Sequence, residues 1–115
     1  MAFVTDTHSL VYFQSGKRNK LSKKVLDIFR NAESGREIVF IPVIVFLEIS
    51  ALQRRGRLAL REGSFASWVR TLLDYPGFVA QEMTIEIVLD SAAQTILKDP
   101  MEALIVTTAR CWTYP

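Results

Sequence analysis

Apolar residues along the chain follow two alternating rhythms. Ala2–Asp6, Ile38–Ile41 and Phe78–Gln81 are short runs rich in β-branched and aromatic side chains, the pattern of buried strands. Between them apolar residues return at helical spacing. A brief helix is predicted over Ser9–Phe13, followed by a basic turn at Gln14–Lys20. Ser22 suits the cap of the next helix, with Val25, Ile28, Phe29 and Ala32 on one face and a stop at Ser34-Gly35. Pro42 suits the first turn of a helix reaching about Arg54, which is apolar on nearly every side and therefore expected to be central. Ser64 caps a helix carrying Phe65, Trp68, Val69, Leu72 and Leu73, and Tyr75-Pro76-Gly77 ends it. Thr84 caps another with a stripe of Ile85, Leu89, Ala92 and Ile96, and Asp99-Pro100 opens a last helix from Met101 to about Arg110. Short strands alternating with amphipathic helices predict an α/β class with parallel strands joined by crossover helices.

Composition agrees with a folded domain. A chain of 115 residues, half of them apolar and 23% charged, suits a single domain over 1–115 and is not a disordered composition. The longest apolar run, Ile38–Leu47, has ten residues and includes Pro42, far short of the roughly 20 that a bilayer span needs. The first residues, Met-Ala-Phe-Val-Thr-Asp, lack the basic start of a secretory signal. Cys111 is the only cysteine, so an internal disulfide is excluded and a reducing, cytoplasmic setting is expected.

Charge changes the picture once it is divided by position. Residues 1–57 hold ten Lys/Arg against five Asp/Glu, net +5, and residues 58–115 hold four against seven, net −3, which sum to the overall +2. Lys17, Arg18, Lys20, Lys23 and Lys24 place five cations within eight positions, and Arg54, Arg55 and Arg57 form a second group. Clusters of this kind attract a phosphate backbone, though they also occur as solvated faces.

The candidate chemistry is carboxylate chemistry. Ligands of open parallel sheets bind beyond the carboxyl ends of the strands, where Asp6 is expected to close the first one. A helix cap is the alternative role for Asp6. Glu48 is unusual on so apolar a helix; a metal, an internal salt bridge to an arginine, or a helix that exposes one narrow edge would explain it. Asp99 and Glu102 stand at the N-cap and N3 positions of the last helix, where Asp99 reads as a cap and Glu102 either caps or faces the crevice. Carboxylates brought together repel one another unless a cation sits among them, and oxygen ligands alone select Mg²⁺ or Mn²⁺. Such an ion activates water for in-line attack on phosphorus without a histidine base. His8, the only histidine, cannot make a zinc site by itself. The chain has no G-x-S-x-G, P-loop or G-x-G-x-x-G pattern.

Three segments in order, Val4-Thr5-Asp6-Thr7-His8-Ser9-Leu10, Ile41-Pro42-Val43-Ile44-Val45-Phe46-Leu47-Glu48-Ile49 and Asp99-Pro100-Met101-Glu102-Ala103-Leu104-Ile105-Val106-Thr107-Thr108-Ala109, resemble the PIN domain family, including the VapC-type toxins. The resemblance implies a three-layer α/β/α fold with a short parallel sheet. It also implies a Mg²⁺- or Mn²⁺-dependent endoribonuclease, the toxin of a toxin–antitoxin pair, with RNA as substrate and an antitoxin protein as partner. The first acid of the family falls on Asp6, the second on Glu48 and the third on Glu102, where the family usually has Asp followed by Arg and this chain has Ala103. Asp99 matches the acid of the Asp-Pro pair. The basic residues Lys17, Arg18, Lys20, Lys23 and Lys24 are the candidates for holding RNA.

PIN domains continue into a further strand and a turn with a Thr-x-Asp acid, whereas this sequence ends at Trp112-Thr113-Tyr114-Pro115. The last strand is therefore expected to be missing, leaving an unpaired edge beside the first strand; either the chain is a truncated product or a partner chain covers that edge, by homodimerisation or strand exchange. Glu102, Ala103 and the absent fourth acid keep open an alternative, a catalytically impaired module of the same build that binds protein or RNA without cutting it.

Overall fold

The computed structural model describes residues 2–58 and 63–93. Three parallel strands, β1 (Ala2–Val4), β2 (Ile38–Pro42) and β3 (Phe78–Gln81), form a sheet in that order, joined by helices, as the α/β reading requires. Ala2 pairs with Ile38, and Val39 with Phe78, which places the carboxyl ends of all three strands along one side. Among the described residues β1 and β3 are the edges.

Local chemistry sets the helix limits. Asp6, in extended conformation, accepts the Ser9 N–H on Oδ1 at 2.8 Å and starts α1 (Thr7–Gln14). The first strand is thus shorter than expected, ending at Val4, and α1 is longer at both ends than the Ser9–Phe13 segment. Ser22 accepts the Val25 N–H to start α2 (Lys23–Ser34), and Gly35, at φ +83°, turns the chain so that the Arg36 N–H returns to Asn31 O at 2.8 Å. Pro42 is both the last residue of β2 and the N-cap of α3 (Val43–Arg54), one position before the expected first turn, so the helix follows without a loop. Ser64 and Thr84 cap α4 (Phe65–Asp74) and α5 (Ile85–Ala92) through the N–H groups of Ser67 and Ile87.

The core lies between the sheet and the helices that cross it. Phe13, Phe29 and Phe78 bring α1, α2 and β3 together, with Phe13 and Phe29 ring centres 4.9 Å apart. Trp68 of α4 meets Phe46 of α3 edge-on, and its indole N–H donates to Gln14 Oε1 at 3.2 Å. Partly buried Phe65, Val69 and Leu73 join Trp68 and Leu72 against this core, as the α4 periodicity predicts.

Two expectations about faces are corrected. Helix α3 buries Ile44, Val45, Phe46 and Ile49, but Leu47 is 60% exposed, so the helix has a solvent side. In α5 the inward residue is Ile87, 3% exposed, while Ile85 and Leu89 of the expected stripe are 63% and 64% exposed. Apolar residues at 85, 87, 88 and 89 leave more than one face eligible, and Ile87 faces Pro42, Val43 and Ile44. The expected last helix, Met101 to about Arg110 with Glu102 and Ala103, falls outside the described residues, as do Ile96, Asp99 and Cys111.

Candidate functional site

The crevice beyond β2 and β3 offers almost no room. Pro42, Val43, Ile44, Gln81, Glu82, Met83 and Ile87 enclose about 10 Å³, space for a single water at most. The open site lies instead beside β1, between the start of α1 and the length of α3. There Thr7, His8, Leu47, Glu48, Ala51, Leu52 and Arg55 line a cavity of about 270 Å³.

Helical geometry explains the lining. Glu48, Ala51, Leu52 and Arg55 are spaced i, i+3, i+4 and i+7, one stripe of α3, with the carboxylate and the guanidinium at opposite ends. Thr7 and His8 are the first two residues of α1, so the cap that Asp6 makes sets their position. Thr7 is 5% exposed, and its buried Oγ1 has no hydrogen-bond partner among the described residues. His8 is exposed, its ring 6.5 Å from that of Tyr12.

Asp6 is exposed next to this wall, past the carboxyl end of β1. Its Oδ1 serves the helix cap, while its other carboxylate oxygen takes no hydrogen bond from the described residues. Thr5, buried beside it, donates its hydroxyl to Asp6 O at 3.0 Å, and its N–H continues the sheet ladder to Phe40 O at 3.1 Å. Asp6 is therefore held by backbone on both sides. Glu48 is half-buried on the cavity wall. Glu48 thus shares the cavity wall with Thr7 and His8, the two residues that follow Asp6 in the chain, whereas Glu102 and Asp99 lie outside the described part. Among the described residues no group of three or more His, Cys, Asp or Glu side chains is placed to hold a metal ion. The two acids do suit a hard ion, since Mg²⁺ is commonly bound through one or two carboxylates and completes its shell with water and phosphate oxygens.

The basic segment divides into two kinds of residue. Lys17, Lys20, Lys23 and Lys24 are exposed. Arg18 is not a free surface cation: its Nε donates to Phe13 O at 3.0 Å and its guanidinium lies 4.0 Å from the centre of the Phe13 ring. It closes the carboxyl end of α1, and Lys20 likewise lies over a ring, its Nζ 5.5 Å from the centre of Tyr12. Lys23 and Lys24 occupy the first turn of α2, where the helix dipole disfavours cations. Arg54 and Arg55, at the other end of α3, are favoured by theirs.

The sequence singles out Glu48 but not the cavity that it lines with Arg55. The i, i+3, i+4, i+7 stripe starting at Glu48 was its available signal; pairing that stripe with α1 needed the tertiary structure. Comparison with family models, with curated proteins and with solved structures returns no match. Among the described residues no helix is long and apolar enough to cross a membrane.

Proposed function

We propose that the chain is a PIN-like endoribonuclease that hydrolyses RNA phosphodiester bonds with Mg²⁺ or Mn²⁺. One observation supports the reading: Glu48, from α3, lines an open cavity together with Thr7 and His8, the first residues of the helix that Asp6 caps past the carboxyl end of β1. Their oxygens are the donors for the ion, with Glu102 as the third acid that the family resemblance implies. Such an ion, when bound, supplies polarisation of the phosphoryl oxygen and acidification of the attacking water.

The chain's own residues do the positioning. The bond from the Ser9 N–H holds the Asp6 carboxylate in one orientation while leaving its second oxygen for a ligand. The exposed lysines Lys17, Lys20, Lys23 and Lys24 attract the RNA backbone. At Lys23 and Lys24 this role accounts for cations kept against the dipole of α2, which local helix stability does not favour. The family resemblance alone supports the remaining elements of the proposal: a toxin acting in the cytoplasm, an antitoxin protein as partner and a homodimer.

The test is cleavage of a single-stranded RNA by the full chain in Mg²⁺ or Mn²⁺, with EDTA and Asp6→Asn as controls. Asparagine keeps the cap and removes the charge, so the expected result is loss of cleavage by a folded protein. Cleavage unchanged by EDTA and by the substitution refutes the assignment. RNA binding with no cleavage under any metal condition selects the non-catalytic module instead.

A further inference from the structure

We propose that the cavity between α1 and α3 is a subsite for one ribonucleotide, with the phosphate on Arg55 and the base over Leu47, Ala51 and Leu52. The assignment of the pocket to an RNA substrate rests on the ribonuclease reading; the nucleotide-binding chemistry is its own.

Size limits the occupant. Pockets for drug-sized ligands run from about 300 Å³ upward, so 270 Å³ suits one base and its sugar rather than a dinucleotide. The lining then chooses the chemistry. Arg55 stands seven residues from Glu48, roughly 10 Å along the axis at 1.5 Å per residue, so a phosphate on its guanidinium lies at the end of the cavity away from that acid. Arg is also the side chain whose planar fork matches phosphate. Between the two charges the floor is Ala51 and Leu52, with Leu47 exposed at the rim, a surface that accepts a flat apolar face. His8 brings an exposed imidazole from the opposite wall, and His is among the rings on which unstacked RNA bases pack.

The experiment titrates the full chain with each of the four ribonucleoside 5′-monophosphates and with inorganic phosphate, by calorimetry in EDTA, and separately measures steady-state RNA cleavage. At least one mononucleotide is expected to bind more tightly than phosphate. Arg55→Gln, at an exposed position, is expected to weaken that binding about tenfold and to raise KM without lowering kcat. His8→Ala is expected to weaken mononucleotides but not inorganic phosphate. Mononucleotide affinity no greater than that of phosphate, or unaffected by both Arg55→Gln and His8→Ala, overturns the subsite. If cleavage persists in that case, the ribonuclease reading survives; Arg55-dependent nucleotide binding without any cleavage overturns that reading and leaves the pocket.

Discussion

Gly77→Ala measures how closely the crossover into β3 is packed on α2. Gly77 donates its N–H to Ala32 O at 2.8 Å, and its carbonyl accepts the Val39 N–H at 2.7 Å, so its backbone is held from both sides. A Cβ added there collides with Ala32 O and Glu37 O and lies 2.5 Å from Ala32 Cα, all of them backbone atoms that no rotamer change can move aside. Relief requires β3 to shift away from α2. Overpacking of this kind costs about 1–3 kcal/mol, and weakening two hydrogen bonds adds about 1 kcal/mol each. The sum, about 3–5 kcal/mol, is a large part of the roughly 5–15 kcal/mol that holds a domain together. At about 4 °C per kcal/mol for a chain of this size, the melting temperature is expected to fall by about 12–20 °C. Gly56→Ala is the control: Gly56 has φ +70° and nothing within 4 Å of an added Cβ, so only the left-handed backbone is strained, for about 1 kcal/mol or about 4 °C. Thermal melts followed by circular dichroism compare the two. A Gly77→Ala melting temperature within about 4 °C of wild type contradicts the packing described.

The remaining expectations concern residues with competing roles. Asp6→Ala removes the cap of α1 and should lower stability by about 0.5–2 kcal/mol in chemical denaturation, whereas Asp6→Asn should stay within about 0.5 kcal/mol of wild type; equal losses would show that the Ser9 contact is not what matters. Arg18→Ala should destabilise by about 1–2 kcal/mol through loss of the Phe13 carbonyl bond and ring contact. Lys17→Ala should leave the melting temperature unchanged and reduce the salt dependence of RNA binding, by about 0.7 in the log–log slope for a single strand. The reverse pattern would return Arg18 to the RNA-holding group.

Much of the local structure was legible because single side chains decide it. Ser22, Ser64 and Thr84 each accept the N–H expected of a cap, and Phe78–Gln81 forms the third strand over the predicted range. What stayed hidden depends on partners distant in sequence. Nothing in the charge of Arg18 says that it folds back over Phe13, and nothing in the apolar run of α5 says that Ile87 rather than Ile85 or Leu89 is enclosed. Asp6 was legible as a residue with two possible roles; the Ser9 bond establishes the cap without using the whole carboxylate. Glu48 stood out as an acid in an apolar helix, but the cavity it lines exists only where α3 meets the start of α1.

The central claim is that Asp6 and Glu48 act together at one metal-dependent site. The most direct measurement is the rate of single-stranded RNA cleavage at saturating Mn²⁺ by wild type, Asp6→Asn, Glu48→Gln and the double variant, each first shown to be folded. Two acids serving one ion should give single losses of at least about a hundredfold and a double loss no greater than the larger single one, because residues that act as a unit are non-additive. Wild-type rates in both single variants, or losses that multiply in the double variant, would contradict the account.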